Sequence, residues 1–524
     1  MSLRKEGAQS HRKNGMCPYF PMSRREIYLV LACICLIVYA NSLNNPFISD
    51  DIPAILENPH ILEFQNNWLN PQDLLNSLSY LVSGQKPFLY HFISILIHIL
   101  NTCLVFLLLN LFFKTDSSFW GSCLFAVHPI HVEAVAWVSG RTYLILGLFI
   151  LSCYLFYHRS VYVSAGDKKF APIAYLLSLG LFSYYKTKEF PFFFVFPFLL
   201  ILSDVFFKGW RKNWKLWVPF FVILILKLIL AGKIISHRLE VSLTAIGPPE
   251  RNPLVYFAYS FYSYLGLLIF PFKLALFHTV SIPPVLYKYT ALFLLPVIFL
   301  LYLTFRKAKE VFLGLCIFIL FLAPTYSPIP VGAVIAERYC YFPSLALSIF
   351  IAFLYEKLTA RNRKFKSFLL AILILLAILY GVRTIARNND WANREKFWQK
   401  ELRSSAHSPR VHNNMGMIYL EKGEAREAIA EFEKAIAINP QYAPAYNNLA
   451  LAYIQLDDKD KAIGFFKKTI EINPDYREAY FNLSLAYFYN KQYGLAIEYC
   501  DKAAGLGYPV PAEFLESLKI YRKR

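Results

Sequence analysis

Long unbroken blocks of apolar residues fill the chain as far as residue 388, and a shorter amphipathic helical pattern replaces them from about Asp390 onward. The blocks are Ile27 to Leu43, Pro87 to Phe112, Phe119 to Val138, Tyr143 to Tyr157, Phe170 to Tyr185, Pro191 to Phe207, Leu216 to Ala231, Ala291 to Phe305, Val311 to Thr325, Tyr341 to Tyr355 and Ser367 to Thr384. Several are short against the roughly 20 residues a crossing helix needs, so their ends are uncertain by a turn. They predict an all-α, polytopic membrane domain of about 11 spans followed by a soluble helical tail. Leu254 to Phe270 is apolar and aromatic enough to cross. Gly247-Pro-Pro249 and Pro271 break the chain at its ends, however, and the charge pattern leaves it as an interfacial or re-entrant segment.

That charge pattern lies in the loops. The N-terminus (Arg4, Lys5, Arg12, Lys13, Arg24, Arg25), Lys114, the 158–169 loop, the 208–215 loop, the 306–309 loop and the 356–366 loop are basic and alternate along the chain. Positive loops stay in the cytoplasm. The loop holding Asp50 and Asp51, the stretch 128–141, Lys188-Glu189, the stretch 327–338 and the tail then lie on the other side. Val38-Tyr-Ala40 also fits a signal-peptidase site, which is the competing reading of the first block.

The tail repeats itself. His412, Met415, Gly416, Tyr419, Ala428, Phe432, Ala435 and Pro440 recur 34 residues later as Tyr446, Leu449, Ala450, Tyr453, Ala462, Phe466, Thr469 and Pro474. A third copy runs Tyr480, Leu483, Ser484, Tyr487, Ala496, Cys500 and Ala503, with Pro509 one place late. Small residues where two antiparallel helices touch, aromatics between them and a closing proline make the tetratricopeptide pattern, an α-solenoid. The expected organisation is a basic cytoplasmic N-terminus (1–26), the membrane domain (27–388), a linker or degenerate repeat helix (389–408), three repeats (409–510) and a cap helix (511–524).

Composition supports this division. Of 524 residues, 56% are hydrophobic and 17% charged, too apolar for an ordinary soluble protein. A net charge of +19 would point to nucleic acid in a soluble chain, but here it is spent in topology loops, and no nucleic-acid partner is inferred. Nine scattered cysteines form neither a disulfide framework nor a zinc knuckle.

Candidate chemistry gathers at the outer ends of the blocks. Asp50 and Asp51 follow the first block, where one carboxylate can take a proton from an acceptor hydroxyl and the other can orient the acceptor or hold a cation; a solvated turn with an Asp cap on a helix from Ile52 to Glu57 is the plain alternative. His128, His131 and Glu133, followed by Trp137, Gly140 and Arg141, read as a polar cavity wall, as structural hydrogen bonding or, less well because of the intervening proline, as metal ligands. Lys188-Glu189 and Glu337-Arg338 are adjacent opposite charges that either neutralise each other or line a site. Arg141, Lys188 and Arg338 together could hold a lipid-linked phosphate. His91 and His98 share a face of the second block. In the repeats, Asn413, Asn447, Asn448 and Asn482 fall on the inner face, where amides can bond a peptide backbone or simply cap helices.

Taken in order, Asp50-Asp51, Glu57-Asn-Pro-His60, Tyr90-His91 with His98, Ala126 to Arg141, Lys188-Glu189, Ala336-Glu-Arg-Tyr339 with Pro343-Ser344, and the repeats resemble the transmembrane O-mannosyltransferase family that carries tetratricopeptide repeats, together with its prokaryotic relatives. Two positions depart from the family: Asn76-Ser77 stands where it has Arg-Pro, removing one phosphate contact, and Ser94 stands where it has Asn. The resemblance implies a GT-C glycosyltransferase fold that takes a sugar, mannose or another hexose, from a polyprenyl-phosphate donor in the membrane lipid to a protein or peptide acceptor. In that reading Asp50 is the base, and Arg141, Lys188 or Arg338 meets the phosphate. His91, His128, His131, Glu133, Glu189 and Glu337 line the cavity. No cofactor is required; a divalent cation, Mg or Mn, is optional at Asp51. Transfer would take place outside the cytoplasm, at a bacterial inner membrane or in the endoplasmic reticulum lumen. Two other classes compete: a non-catalytic membrane-anchored repeat scaffold for envelope assembly, and a transferase acting on lipid or glycan.

Overall fold

A computed structural model of the chain describes residues 22–56, 58, 61–62, 67, 70–162, 170–184, 195–207, 209–245, 252–276, 278, 282–326, 335–361 and 363–522. Among these residues the structure is helical, with no strand. Two compact units emerge, and the main division falls between Ala392 and Asn393.

The first unit holds α1 (Arg24–Tyr39), α2 (Pro71–Ser83), α3 (Phe88–Leu109), α4 (Thr115–Val127), α5 (Val132–Ala136), α6 (Arg141–Tyr162), α7 (Ala171–Tyr184), α8 (Val195–Phe206) and α9 (Trp210–Ala245). It continues with α10 (Pro253–Ile269), α11 (Pro284–Lys288), α12 (Thr290–Lys307), α13 (Lys309–Tyr326), α14 (Leu345–Arg361) and α15 (Arg363–Asp390). Six described helices are long and apolar enough to cross a membrane: Arg24–Ser42, Phe88–Leu109, Arg141–Tyr162, Thr290–Lys307, Lys309–Tyr326 and Phe365–Asp390. Exposed Leu, Ile and Phe side chains on their outer faces, such as Ile37, Ile298 and Leu375, suit a lipid surround.

Helix α1 begins at a capping box, in which the Ser23 hydroxyl accepts from Glu26 N–H and the Glu26 carboxylate accepts from Ser23 N–H. Its far end is tied to α15 by amides. Asn388 donates to Val38 O (3.0 Å) and Asn41 Oδ1 (2.9 Å), and Asn45 donates to Asn388 O (3.1 Å). The C-terminal ends of the first and last long helices therefore meet.

One expected span takes another form. Phe119 to Val138 is not one helix: α4 stops at Val127, His128 turns extended, and Pro129–His131 forms a 3-10 turn before α5. Proline lacks the N–H that would continue the ladder and forces its predecessor out of the helical region, so the break follows from His128-Pro129. Leu254 to Phe270 forms the single helix α10, with Asn252 as N-cap and Val255, Ala258, Phe261 and Tyr264 buried.

The second unit opens with α16 (Arg394–Ser404) and stacks three helix pairs: α17 (Pro409–Glu421) with α18 (Ala425–Ile438), α19 (Ala443–Gln455) with α20 (Lys459–Ile472), and α21 (Arg477–Tyr489) with α22 (Tyr493–Gly505). The last helix, α23 (Ala512–Arg522), buries Leu518 against the third pair. The periodic positions Ala428, Phe432, Ala450, Ala462, Phe466, Leu483, Ala496 and Cys500 are all buried. Each intra-pair turn holds a residue in the left-handed region, Gly423 (φ 83°), Asp457 (φ 60°) and Lys491 (φ 60°), spaced by the repeat period.

Candidate functional site

The turn after α1 places the two aspartates in opposite environments. Asp50 is exposed, and among the described residues the neighbouring Ser49 hydroxyl donates to it (3.3 Å). Asp51 is buried, and its carboxylate accepts from Ser139 N–H (2.7 Å), the Ser139 hydroxyl (2.5 Å) and Ile48 N–H (3.3 Å). It caps no helix, and Ile52–Leu56 forms a single wide turn. Burial pushes the Asp51 carboxyl up to about 6, against the opposing pull of the Ser139 bonds.

These partners come from the segment between α4 and α6. Pro129 starts the turn, with the His128 side chain accepting from Ile130 N–H (3.1 Å), and α5 delivers Glu133 inward. Gly140 lets the segment close on itself, since a Cβ there would lie 2.4 Å from Glu133 O. Trp137 then reaches the aspartate turn, its indole N–H donating to Ile48 O (3.2 Å).

A third segment completes the assembly. Glu133 accepts from Arg338 N–H at 2.8 Å and pairs with the Arg338 guanidinium, which also lies 5.5 Å over the Trp137 ring and 4.9 Å over Tyr339. Trp137 stacks on Trp391 (6.3 Å), over which the Arg387 guanidinium sits at 5.9 Å, and Arg387 faces Glu337 at 3.5 Å. Glu133, Arg338, Trp137, Trp391, Arg387 and Glu337 thus form one run of charges and indoles, joined to the Asp50–Asp51 turn by the Trp137 bond to Ile48 O.

The other candidate residues stand apart. Arg141 is fully buried and donates to Gln72 Oε1 (3.4 Å), Tyr90 O (3.3 Å) and Asn76 Oδ1 (2.5 Å), so its fork faces protein. Asn76, the departure from the family pattern, is therefore Arg141's own partner. His91 bonds Asn45 O (3.0 Å), His128 donates to Leu268 O (2.9 Å), and His131 donates to the Ser344 hydroxyl (2.8 Å). His98 lies between Tyr341 and Ala126 O. Lys188 and Glu189 lie outside the described residues, as do Glu57 and His60.

Asp51 does not suit a divalent cation, because its oxygens are buried and already accept three protein donors. Among the described residues, no three His, Cys, Asp or Glu side chains converge as a metal group.

In the repeat unit the four asparagines form a ladder. Asn482 donates to Asn447 (3.2 Å), Asn447 to Asn448 (3.3 Å) and Asn448 to Asn413 (3.0 Å). Asn447 is fully buried, while Asn448 and Asn482 are half-buried.

Ser139 and Trp137 are the partners that sequence reasoning left unassigned. Both stand inside the stretch that carries the family resemblance, but nothing in the sequence pairs them with residues 48–51.

These features define a helical membrane protein with an acidic turn, a buried wall of charges and indoles, and a tail of helix pairs. Family models described as Tetratricopeptide repeat match residues 419–487 and 478–506. Across most of its length the chain is homologous to proteins named protein O-mannosyl-transferase. It is 26% identical over 484 residues to TMTC3 of Homo sapiens, covering 79% of this chain and 52% of that protein. It is 26% identical over 530 residues to TMTC1 of Homo sapiens, covering 83% and 57%. The chain spans about half the length of the curated relatives it matches. Among solved structures, the crystal structure of MamA is 26% identical and covers 29% of this chain and 84% of its own, with a TM-score of 0.20, too low to carry an argument about fold.

Proposed function

We propose that this chain is a membrane glycosyltransferase of GT-C type that moves mannose or another hexose from a polyprenyl-phosphate donor to a protein hydroxyl at the non-cytoplasmic face. The observation that carries the reading is an exposed carboxylate, Asp50, on a turn held by the Trp137 indole, whose ring also carries the Arg338 guanidinium: a base open to an aqueous acceptor and a cation that would favour a departing phosphate. The names of the homologues supply the sugar and the acceptor class.

In the proposed step the acceptor O–H gives its proton to Asp50 and its oxygen bonds the anomeric carbon. The bond from that carbon to the phosphate oxygen breaks, and polyprenyl phosphate leaves with the electron pair. One displacement inverts the anomeric centre. Arg338, whose side chain keeps a tenth of its surface exposed, and Lys188 take the phosphate. Arg141 acts from behind, holding α2 and α3 together. No cation is needed in this scheme.

Residues 27–388 form the transferring domain and the repeats at 409–510 present the acceptor, with the half-buried amides of Asn448 and Asn482 offered to a peptide backbone. The meeting of the C-terminal ends of α1 and α15 supports an odd number of crossings, which puts the chain beyond α15 on the face that carries Asp50. That face is the periplasm of a bacterium or the lumen of an endoplasmic reticulum.

One observation favours the scaffold reading: Asn76 stands where the family has arginine and turns inward onto Arg141. Incubating membranes that contain the full chain with a radiolabelled mannosyl polyprenyl phosphate separates the readings. Label in the protein fraction supports the proposal, label in lipid or glycan moves the acceptor class, and no donor consumption leaves the scaffold.

A further inference from the structure

We infer that Ser139 and Trp137 are positioning residues, a clamp that fixes the Ile48–Asp51 turn so that Asp50 faces the aqueous acceptor. This rests on the assignment of Asp50 as the base, but the clamp itself is read from geometry. Ile48 is held from both sides, its carbonyl accepting from the Trp137 indole (3.2 Å) and its N–H donating to Asp51 (3.3 Å). Asp51 is in turn held twice by Ser139, through N–H (2.7 Å) and hydroxyl (2.5 Å). Between these anchors Ser49 has φ 54°, in the left-handed region that serine rarely adopts.

A strained residue persists where its flanks over-determine it. Here the flanks are pinned by one short segment, 137–139, and the kink at Ser49 leaves Asp51 buried and Asp50 exposed. Trp137 also lies under the Arg338 guanidinium, so the same indole sets the base turn and one candidate phosphate cation. Asp51, adjacent to the base in sequence, thus works as the tether rather than as a second chemical group. A tether that fixes orientation acts on the chemical step more than on donor binding.

The test uses the full-length protein with Ser139→Ala, Ser139→Thr and Trp137→Phe. Trp137→Phe keeps an aromatic ring toward Trp391 and Arg338 while removing the indole N–H together with part of the ring. Two readouts are taken: hydrogen–deuterium exchange of the peptide spanning residues 45–56, and kcat and KM for a mannosyl polyprenyl phosphate. Losing one of these hydrogen bonds, to the Asp51 carboxylate in Ser139→Ala or to the Ile48 carbonyl in Trp137→Phe, should speed exchange and lower kcat by about tenfold each, with donor KM unchanged. Ser139→Thr, which keeps the hydroxyl, should restore both. Exchange unchanged in both Ser139→Ala and Trp137→Phe would overturn the clamp. Faster exchange in a protein whose wild type transfers nothing would leave the clamp standing and sink the glycosyltransferase reading alone.

Discussion

The two units hold their buried polar groups in different ways. In the membrane unit the partners are far apart in sequence: 205 residues between Glu133 and Arg338, 88 between Asp51 and Ser139, and 65 between Asn76 and Arg141. In the repeats, Asn448 reaches Asn413 and Asn482 reaches Asn447 across the same interval of 35 residues, and small residues and aromatics on the period fill the core. A buried site offers no water to an abandoned charge or amide, so each long-range pair there is a single point of failure. The repeats spread their stability over similar neighbouring interfaces.

The largest expected effect is at Glu133. Glu133→Leu leaves the Arg338 guanidinium buried without its carboxylate and should cost about 3–5 kcal/mol, read as loss of folded protein after heating in detergent. If Glu133→Leu were milder than any repeat substitution, the contrast between the units would fail. Next comes Asn447→Ala, which strands the amide oxygen of Asn448 and frees the donor of Asn482 at a buried position. It should cost about 1–3 kcal/mol, measured as a lower melting transition.

A pH effect of about 1 kcal/mol follows from Asp51. Its folded-state carboxyl is raised from its ordinary value of 3.8 to about 6, so the cost of ionising it builds up between those two values and is fully present above about 6. This cost should shrink as pH falls from 7 to 5, and the gain should vanish in Asp51→Asn; other groups titrate in both proteins, so the difference between their pH profiles is the measurement. The smallest effect is a gain. Lys491→Gly relieves a left-handed residue at the turn where the first repeat already has Gly423, and should raise stability by about 1 kcal/mol in thermal denaturation.

Legibility in the sequence follows the same division. Contacts in the repeats recur with the period, so buried Phe432, Phe466 and Cys500 could be named from spacing alone. In the membrane unit, hydropathy marked the helices but hid the break at His128-Pro129 inside an apolar run, although Pro129 itself was the signal. Asp50 and Asp51 look alike in sequence, and only the fold separates the exposed one from the buried one. Arg141 and Arg338 were recognisable as costly charges. Their partners Asn76 and Glu133 were not, because pairing over such separations is set by how helices pack, and the charges of a lone sequence do not encode it.

With Asp50 proposed as the proton acceptor and Asp51 as its tether, the two roles separate most directly in the transfer of labelled mannose from its polyprenyl phosphate to protein, in membranes carrying Asp50→Asn or Asp51→Asn at equal expression. Asparagine at 51 can still accept from Ser139, whereas asparagine at 50 cannot take a proton. Transfer should fall by about 100-fold or more in Asp50→Asn and by less than about tenfold in Asp51→Asn. Equal losses in the two variants, or full transfer by Asp50→Asn, would contradict this division of roles.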